Sequence, residues 1–210
     1  MSLRHAILAL LTAKPMSGYE VSKYLDDPVG FVWSAPQSQI YPELRRMEEE
    51  ALVESETVAR GARGTKRRYT VTGGGEDELQ EWLATPAAPP PERDPVRLRA
   101  VYMDMAPLAA ARAQFESHLE HYQRRLELWQ QRAEEIRTRR YPLLVARLAH
   151  TAVEDQEALV EFKTLAFEGQ IARAEAEIAW ARSGLKLVER LERRQKRRAR
   201  SGAAGARGAD

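Results

Sequence analysis

Apolar residues recur along this chain at two periods, and the change of period marks its parts. Leu3, Ile7, Leu10 and Leu11 follow the spacing of one helical face, and Pro15 ends that helix. Ser17, with Glu20 three residues later, makes a capping box for a second helix carrying Val21, Tyr24 and Leu25. That helix stops at Asp27-Pro28. Gly30 to Ala35 is a loop holding Phe31 and Trp33. A third helix is predicted from Pro36 to Val53, with Ile40, Leu44 and Met47 on one face. The period then drops to two. Leu52 to Val58 and Arg68 to Val71 read as short strands. The stretch 59–67 between them carries two glycines and several basic residues and reads as a hairpin tip.

Thr72 caps a fourth helix from about Gly73 to Leu83, with Leu79, Trp82 and Leu83 on its apolar side. Thr85 to Pro91 is proline-rich and reads as a stiff spacer. Helical periodicity then returns with Val96, Leu98, Val101 and Met105. A long helix from about Pro107 to Arg140 carries Phe115, Leu119, Tyr122, Leu126, Trp129, Ala133 and Ile136 at alternating spacings of four and three. Tyr141-Pro142 interrupts it. A further helix from about Asp155 to Arg194 repeats the alternation with Phe167, Ile171, Ala174, Ile178, Ala181, Leu185 and Val188. Both are heptad stripes. They can pack on each other within one chain or pair two chains. Apolar residues outside the seams, such as Leu159, Phe162 and Leu165, favour a homodimer, with Phe115, Leu119, Tyr122, Leu126, Trp129, Phe167, Ile171, Ile178 and Leu185 as its contacts.

The expected fold is mainly α: an N-terminal winged helix-turn-helix with a two-stranded wing, followed by a long-helix dimerisation domain. Its parts are residues 1–84, a Pro-rich linker at 85–94, helices at 95–194, and a basic, disordered tail at 195–210.

Charge narrows what such a fold can bind. The chain has 33 Lys and Arg against 31 Asp and Glu, a net charge of +2, so attraction to nucleic acid must come from local patches. Within residues 1–84 the acids slightly outnumber the bases, yet Arg45, Arg46, Arg63, Lys66, Arg67 and Arg68 fall on the third helix and the hairpin. The outer face of the third helix carries Ser38, Gln39, Tyr41, Pro42, Arg45 and Arg46. These are donors suited to phosphates and guanine edges. Ser38 is placed as its N-cap and Pro42 near its first turn. The residues support two readings: double-stranded DNA met by helix and wing, or a protein-interaction adaptor built on the same winged helix and heptads.

The stretches SGYEVSKYL, PQSQIYPELRRMEEEALV and RYTVTGGGEDELQEWL, with the basic hairpin, resemble the PadR family of bacterial transcriptional regulators over roughly the first 85 positions. Tyr41, Pro42, Leu44, Arg45, Arg46, Met47 and Glu48 stand where the family has Tyr-Pro-Leu-Arg-Arg-Leu-Glu. Ala51 stands where the family usually has Gly. The resemblance implies a winged-helix dimer that binds an operator, usually to repress, and is often released by a small molecule. A two-fold dimer sets its recognition helices about 34 Å apart, matching a palindromic site.

Other chemistry is sparse. With no cysteine, disulfides, thiolate metal sites and a cysteine nucleophile are excluded. This fits a cytoplasmic protein. No apolar run spans a bilayer, and the start does not read as a secretory signal. His118 and His121 lie three apart on a helix, and read as surface or seam residues rather than metal ligands. Gly73-Gly74-Gly75 lacks the context of a phosphate loop, and no catalytic pattern appears. No enzyme activity and no cofactor are expected. Phe31, Trp33, Tyr102 and Trp129 are candidates for a pocket accepting a small aromatic effector.

Overall fold

The computed structural model of the chain describes residues 3–26, 35–59, 64–88 and 93–206. Among these residues the elements run α1 (Leu3–Leu11), β1 (Met16–Ser17), α2 (Gly18–Asp26), α3 (Gln37–Glu49), β2 (Val53–Ala59), β3 (Thr65–Val71), α4 (Gly73–Ala84), α5 (Pro95–Val101), α6 (Leu108–Arg137), α7 (Pro142–Leu148) and α8 (Gln156–Ala206). Two compact units divide them. One takes Met1–Pro89 with Gln131–Ala166, the other Pro90–Gln130 with Phe167–Asp210. The helical half, expected as one domain, is therefore shared between the two.

In the first unit α1 buries Ile7, Leu8, Leu10 and Leu11, and α3 buries Ile40, Leu44 and Met47. The predicted periodicity appears as burial. Ser17 and Glu20 make the expected box: the Ser17 hydroxyl accepts from the Glu20 amide at 3.3 Å, and the Glu20 carboxylate accepts the Ser17 amide at 2.8 Å. The Ser17 hydroxyl also donates to the Glu20 carboxylate at 2.6 Å; that bond first, then the one from the Ser17 amide, holds the Glu20 carboxyl below its usual range. Ser17 also belongs to a strand that periodicity did not reveal. The sheet has three antiparallel strands in the order β1-β3-β2, with Met16 opposite Tyr69.

The wing differs from expectation in length. β3 begins at Thr65, so Lys66 and Arg67 are strand residues opposite Val58 and Thr57, not tip residues. The third helix also starts and stops inside its predicted bounds. Pro36 takes the N-cap with no side-chain bond, so Ser38 lies in the first turn rather than capping it. Pro42 sits inside the helix, where its missing N–H leaves the Ser38 carbonyl without a helical partner. Ala51, at φ 58°, ends the helix: its amide reaches the Glu48 carbonyl and the Leu52 amide reaches the Met47 carbonyl. This is the left-handed helix stop that favours glycine.

Thr72 caps α4, its hydroxyl accepting from the Gly75 amide at 3.1 Å. Later in the same unit Arg139, at φ 54°, stops α6 by the same left-handed turn, and Pro142 opens α7 at a position where proline is tolerated. The Arg147 guanidinium donates to the Thr12 hydroxyl at 3.0 Å.

In the second unit the α6 and α8 stripes face each other within one chain. Phe115 meets Trp180 edge-on at 5.2 Å and packs beside Ala111 and Val188. A Cβ on Gly184 would fall 2.5 Å from the Phe115 ring, so glycine lets the two helices close. Phe115, Trp129, Phe167 and Ile178 are buried, while Leu119, Tyr122, Leu126, Ile171 and Leu185 are half-buried. Burial lifts the Glu177 carboxyl, but bonds from Arg97 at 3.1 Å and His118 at 3.0 Å outweigh it and hold that carboxyl below the usual range. α8 continues past Arg194, where the tail was expected to lose order, as far as Ala206.

Candidate nucleic-acid interface

The site is the polar side of α3 together with the wing. Burying Ile40, Leu44 and Met47 forces the remaining positions outward, because a 3.6-residue period cannot hide both faces. Ser38, Gln39, Tyr41, Pro42, Arg45 and Arg46 are all exposed, as their spacing predicts. Tyr41, Arg45, Lys66, Arg67 and Tyr69 line one groove of about 550 Å³ with Ser17, Gly18, Tyr19 and Glu20. Helix and wing cations thus meet in one concavity. Burial pushes the Tyr69 phenol above its usual range, so it stays a neutral donor beside them.

The cations are not equivalent. Arg46 pairs with Glu43 at 3.0 Å, Lys66 with Glu20 at 3.6 Å, and Arg68 with Glu56 at 4.0 Å. Arg67 pairs with Glu48 and also reaches Ser55. Among the described residues Arg45 is the guanidinium of this group with no carboxylate partner, and it sits on the groove wall. Exposed ion pairs contribute at most about 1 kcal/mol each, so most of these partners exchange readily with a phosphate.

Several groove residues were not singled out from the sequence. Gly18 lies directly under α3: a Cβ there would stand 2.6 Å from Tyr41 Cε1. Tyr19 is exposed beside it. The signal available was the Ser-Gly-Tyr-Glu run, read only as a helix start. Arg63 of the wing, and Phe31 and Trp33 of the effector candidates, lie outside the described residues. The other two effector candidates do not meet. Tyr102 is exposed at the end of α5, while Trp129 is buried under the Arg125 guanidinium, about 30 Å from the start of α6 by helical rise. His118 faces Glu177, and among the described residues no group of three acids or histidines could hold a metal. Among them, too, no helix is long and apolar enough to cross a membrane.

The transcriptional regulator PadR-like family model matches residues 7–81, the winged helix. The negative transcriptional regulator PadR of Bacillus subtilis (strain 168) is 35% identical over 126 residues, 59% of this chain and 69% of that protein. The chain belongs to the PadR-like family. Its members are transcriptional regulators rather than enzymes. Likeness to a solved PadR extends through the helical half. The crystal structure of Bacillus subtilis PadR in complex with operator DNA has a TM-score of 0.68 at 26% identity, covering 89% of this chain and 98% of that one. The same PadR in complex with p-coumaric acid has a TM-score of 0.62 at 26% identity, over 89% and 98%.

Proposed function

We propose that this PadR-like regulator binds a palindromic operator as a homodimer, usually to repress, and is released by a small aromatic effector. One observation carries the DNA reading: the exposed polar face of α3 and the cations of β3 open onto a single groove. In this reading Ser38, Gln39, Tyr41, Pro42, Arg45 and Arg46 enter the major groove, with Arg45 reading base edges. Lys66, Arg68 and Arg63 meet the backbone. The relative's description as a negative regulator supports repression, and the PadR complexes with operator DNA and p-coumaric acid support the operator and the effector class.

Pairing of two copies rests on surface left over after each chain has folded. Phe115, Trp129, Phe167 and Ile178 are already covered by their own chain, which takes them out of the proposed dimer contacts. In the second unit Leu98, Val101, Tyr102 and Met105 remain exposed at spacings of three and four. That apolar row offers a second copy the contact a soluble surface rarely leaves bare.

Gel-shift titration with duplex DNA from beside its own gene tests the proposal, with a scrambled duplex as control. Saturable binding to the first alone is expected, lost on Arg45→Ala. Equal weak binding to both duplexes would favour the adaptor reading. Sedimentation at micromolar concentration is expected to show a dimer; a monomer would refute the pairing.

A further inference from the structure

Arg67 is held differently from the other cations of the groove. Its Nη2 donates to the Glu48 carboxylate and to the Ser55 hydroxyl, the latter at 2.7 Å, and its Nε donates to the same hydroxyl at 3.0 Å. The Ser55 hydroxyl donates in turn to Glu48 Oε1 at 2.7 Å. A hydroxyl has one proton and two lone pairs, and here all three are used. The guanidinium also lies 5.6 Å from the centre of the Tyr69 ring. The three members come from three elements: Glu48 from the last turn of α3, Ser55 from β2 and Arg67 from β3. Lys66 and Arg68, by comparison, each show a single longer ion pair.

The position of this triangle gives it a consequence. The wing leaves α3 through the short left-handed turn at Ala51, which Thr72 steadies through bonds to the Ala51 and Leu52 carbonyls. The sheet already ties the inner half of β3 to β1, at Tyr69 and Arg68. The triangle adds a side-chain tie from α3 itself to both wing strands, one residue farther out at Arg67, opposite Thr57. Closed networks of this kind couple their members, unlike isolated surface pairs.

We propose that Glu48 and Ser55 are positioning residues that hold Arg67 as a brace between recognition helix and wing, setting the wing's angle before DNA is met. Arg67 is then not a free phosphate contact, as its place in the basic hairpin suggested. The proposal rests on the DNA-binding reading for its functional readout, but not for its structural one.

Simple electrostatics and the brace give opposite signs. Glu48→Gln removes a negative charge facing a polyanion, which by charge alone tightens binding. The brace predicts weaker and less selective binding. The variants are Glu48→Gln, Ser55→Ala, Ser55→Thr, Arg67→Gln and the Glu48→Gln/Arg67→Gln double. Each is assayed by salt-titrated anisotropy on the duplex from beside its own gene and on random duplex. Amide exchange in β2 and β3 is followed without DNA.

Glu48→Gln and Arg67→Gln are each expected to cost about tenfold on the specific duplex, and the double no more than the worse single. Ser55→Thr should behave as wild type where Ser55→Ala does not. The salt slope should stay within about half a unit of wild type, and the strand amides should exchange several-fold faster. A salt slope reduced by about one in Arg67→Gln, with tighter binding by Glu48→Gln, would overturn the brace. If wild type shows no duplex preference, the DNA reading fails, and exchange alone decides: faster strand exchange in Glu48→Gln upholds the brace, unchanged exchange sinks it.

Discussion

Gly75 and Gly73 sit two residues apart in the first turn of α4, yet the same substitution should act on them with opposite sign. A Cβ on Gly75 would stand 2.1 Å from the Leu52 carbonyl oxygen and 2.9 Å from Val71 Cγ2, and the nearest of these is backbone. To reach an ordinary contact of about 3.4 Å, the helix start must move by more than about 1 Å from the end of the sheet. That carbonyl also accepts the Thr72 amide at 3.1 Å, and the Gly75 amide is the one Thr72 caps, so the shift loosens both bonds. Overpacking of this kind costs about 1–3 kcal/mol and a lost cap about 1 kcal/mol more, placing Gly75→Ala near 3 kcal/mol. At Gly73 nothing lies within 4 Å of the added Cβ, so Gly73→Ala keeps only the gain in helix preference, about 0.5 kcal/mol of stabilisation. Urea unfolding followed by circular dichroism reads both. The reasoning fails if Gly75→Ala lies within about 0.5 kcal/mol of wild type, or if the two variants shift in the same direction.

Ala51 occupies a left-handed turn where the family usually has glycine, so Ala51→Gly should raise stability by about 1 kcal/mol in the same unfolding assay, with circular dichroism unchanged. Gly18→Ala drives its Cβ against the flexible Tyr41 ring, not against backbone; stability should change by less than about 1 kcal/mol while specific DNA affinity drops. Burial, helped by the nearby Arg147 charge, lowers the Lys163 ammonium to a pKa of about 8. The folded state therefore holds fewer protons than the unfolded state between pH 8 and the ordinary lysine range, and stability rises with pH across that window. Lys163→Met should remove the rise and stabilise the protein at pH 7 by about 2 kcal/mol, allowing for the side chain's partial exposure. Parallel pH profiles for variant and wild type would refute this.

How far these features could be read ahead of the fold depends on the distance over which each is determined. Ile40, Leu44 and Met47 predict a buried face because a helix repeats locally, and the Ser17–Glu20 box is local too. The heptad stripes likewise fix α6 and α8 as helices. Periodicity is silent on what a stripe packs against, and Phe115 meets Trp180 of its own chain. β1 is two residues long, too short for any repeat, and exists only because β3 lies beside it. Lys66 and Arg67 looked like tip residues because charge pointed to solvent, yet strand pairing reaches past them. The roles of Gly18, Gly75 and Gly184 are equally non-local, since each depends on an atom distant in sequence or outside its own helix. In the site, residue types and their outward direction were legible. Helical spacing names the Glu43–Arg46 pair, but which cation is triangulated depended on Glu48, whose partner Arg67 comes from a strand 19 residues on.

The most direct measurement is photocrosslinking from the recognition helix itself. A photoreactive phenylalanine is placed singly at Gln39, Tyr41 and, as a control, exposed Leu165 on α8. Each variant is irradiated with the duplex from beside its own gene and with scrambled DNA. Crosslinks from positions 39 and 41 to bases of the first duplex, in two patches about one helical turn apart, are expected, with none from 165. Crosslinking from 165 with silence at 39 and 41 would contradict the assignment of α3 as the element that meets DNA.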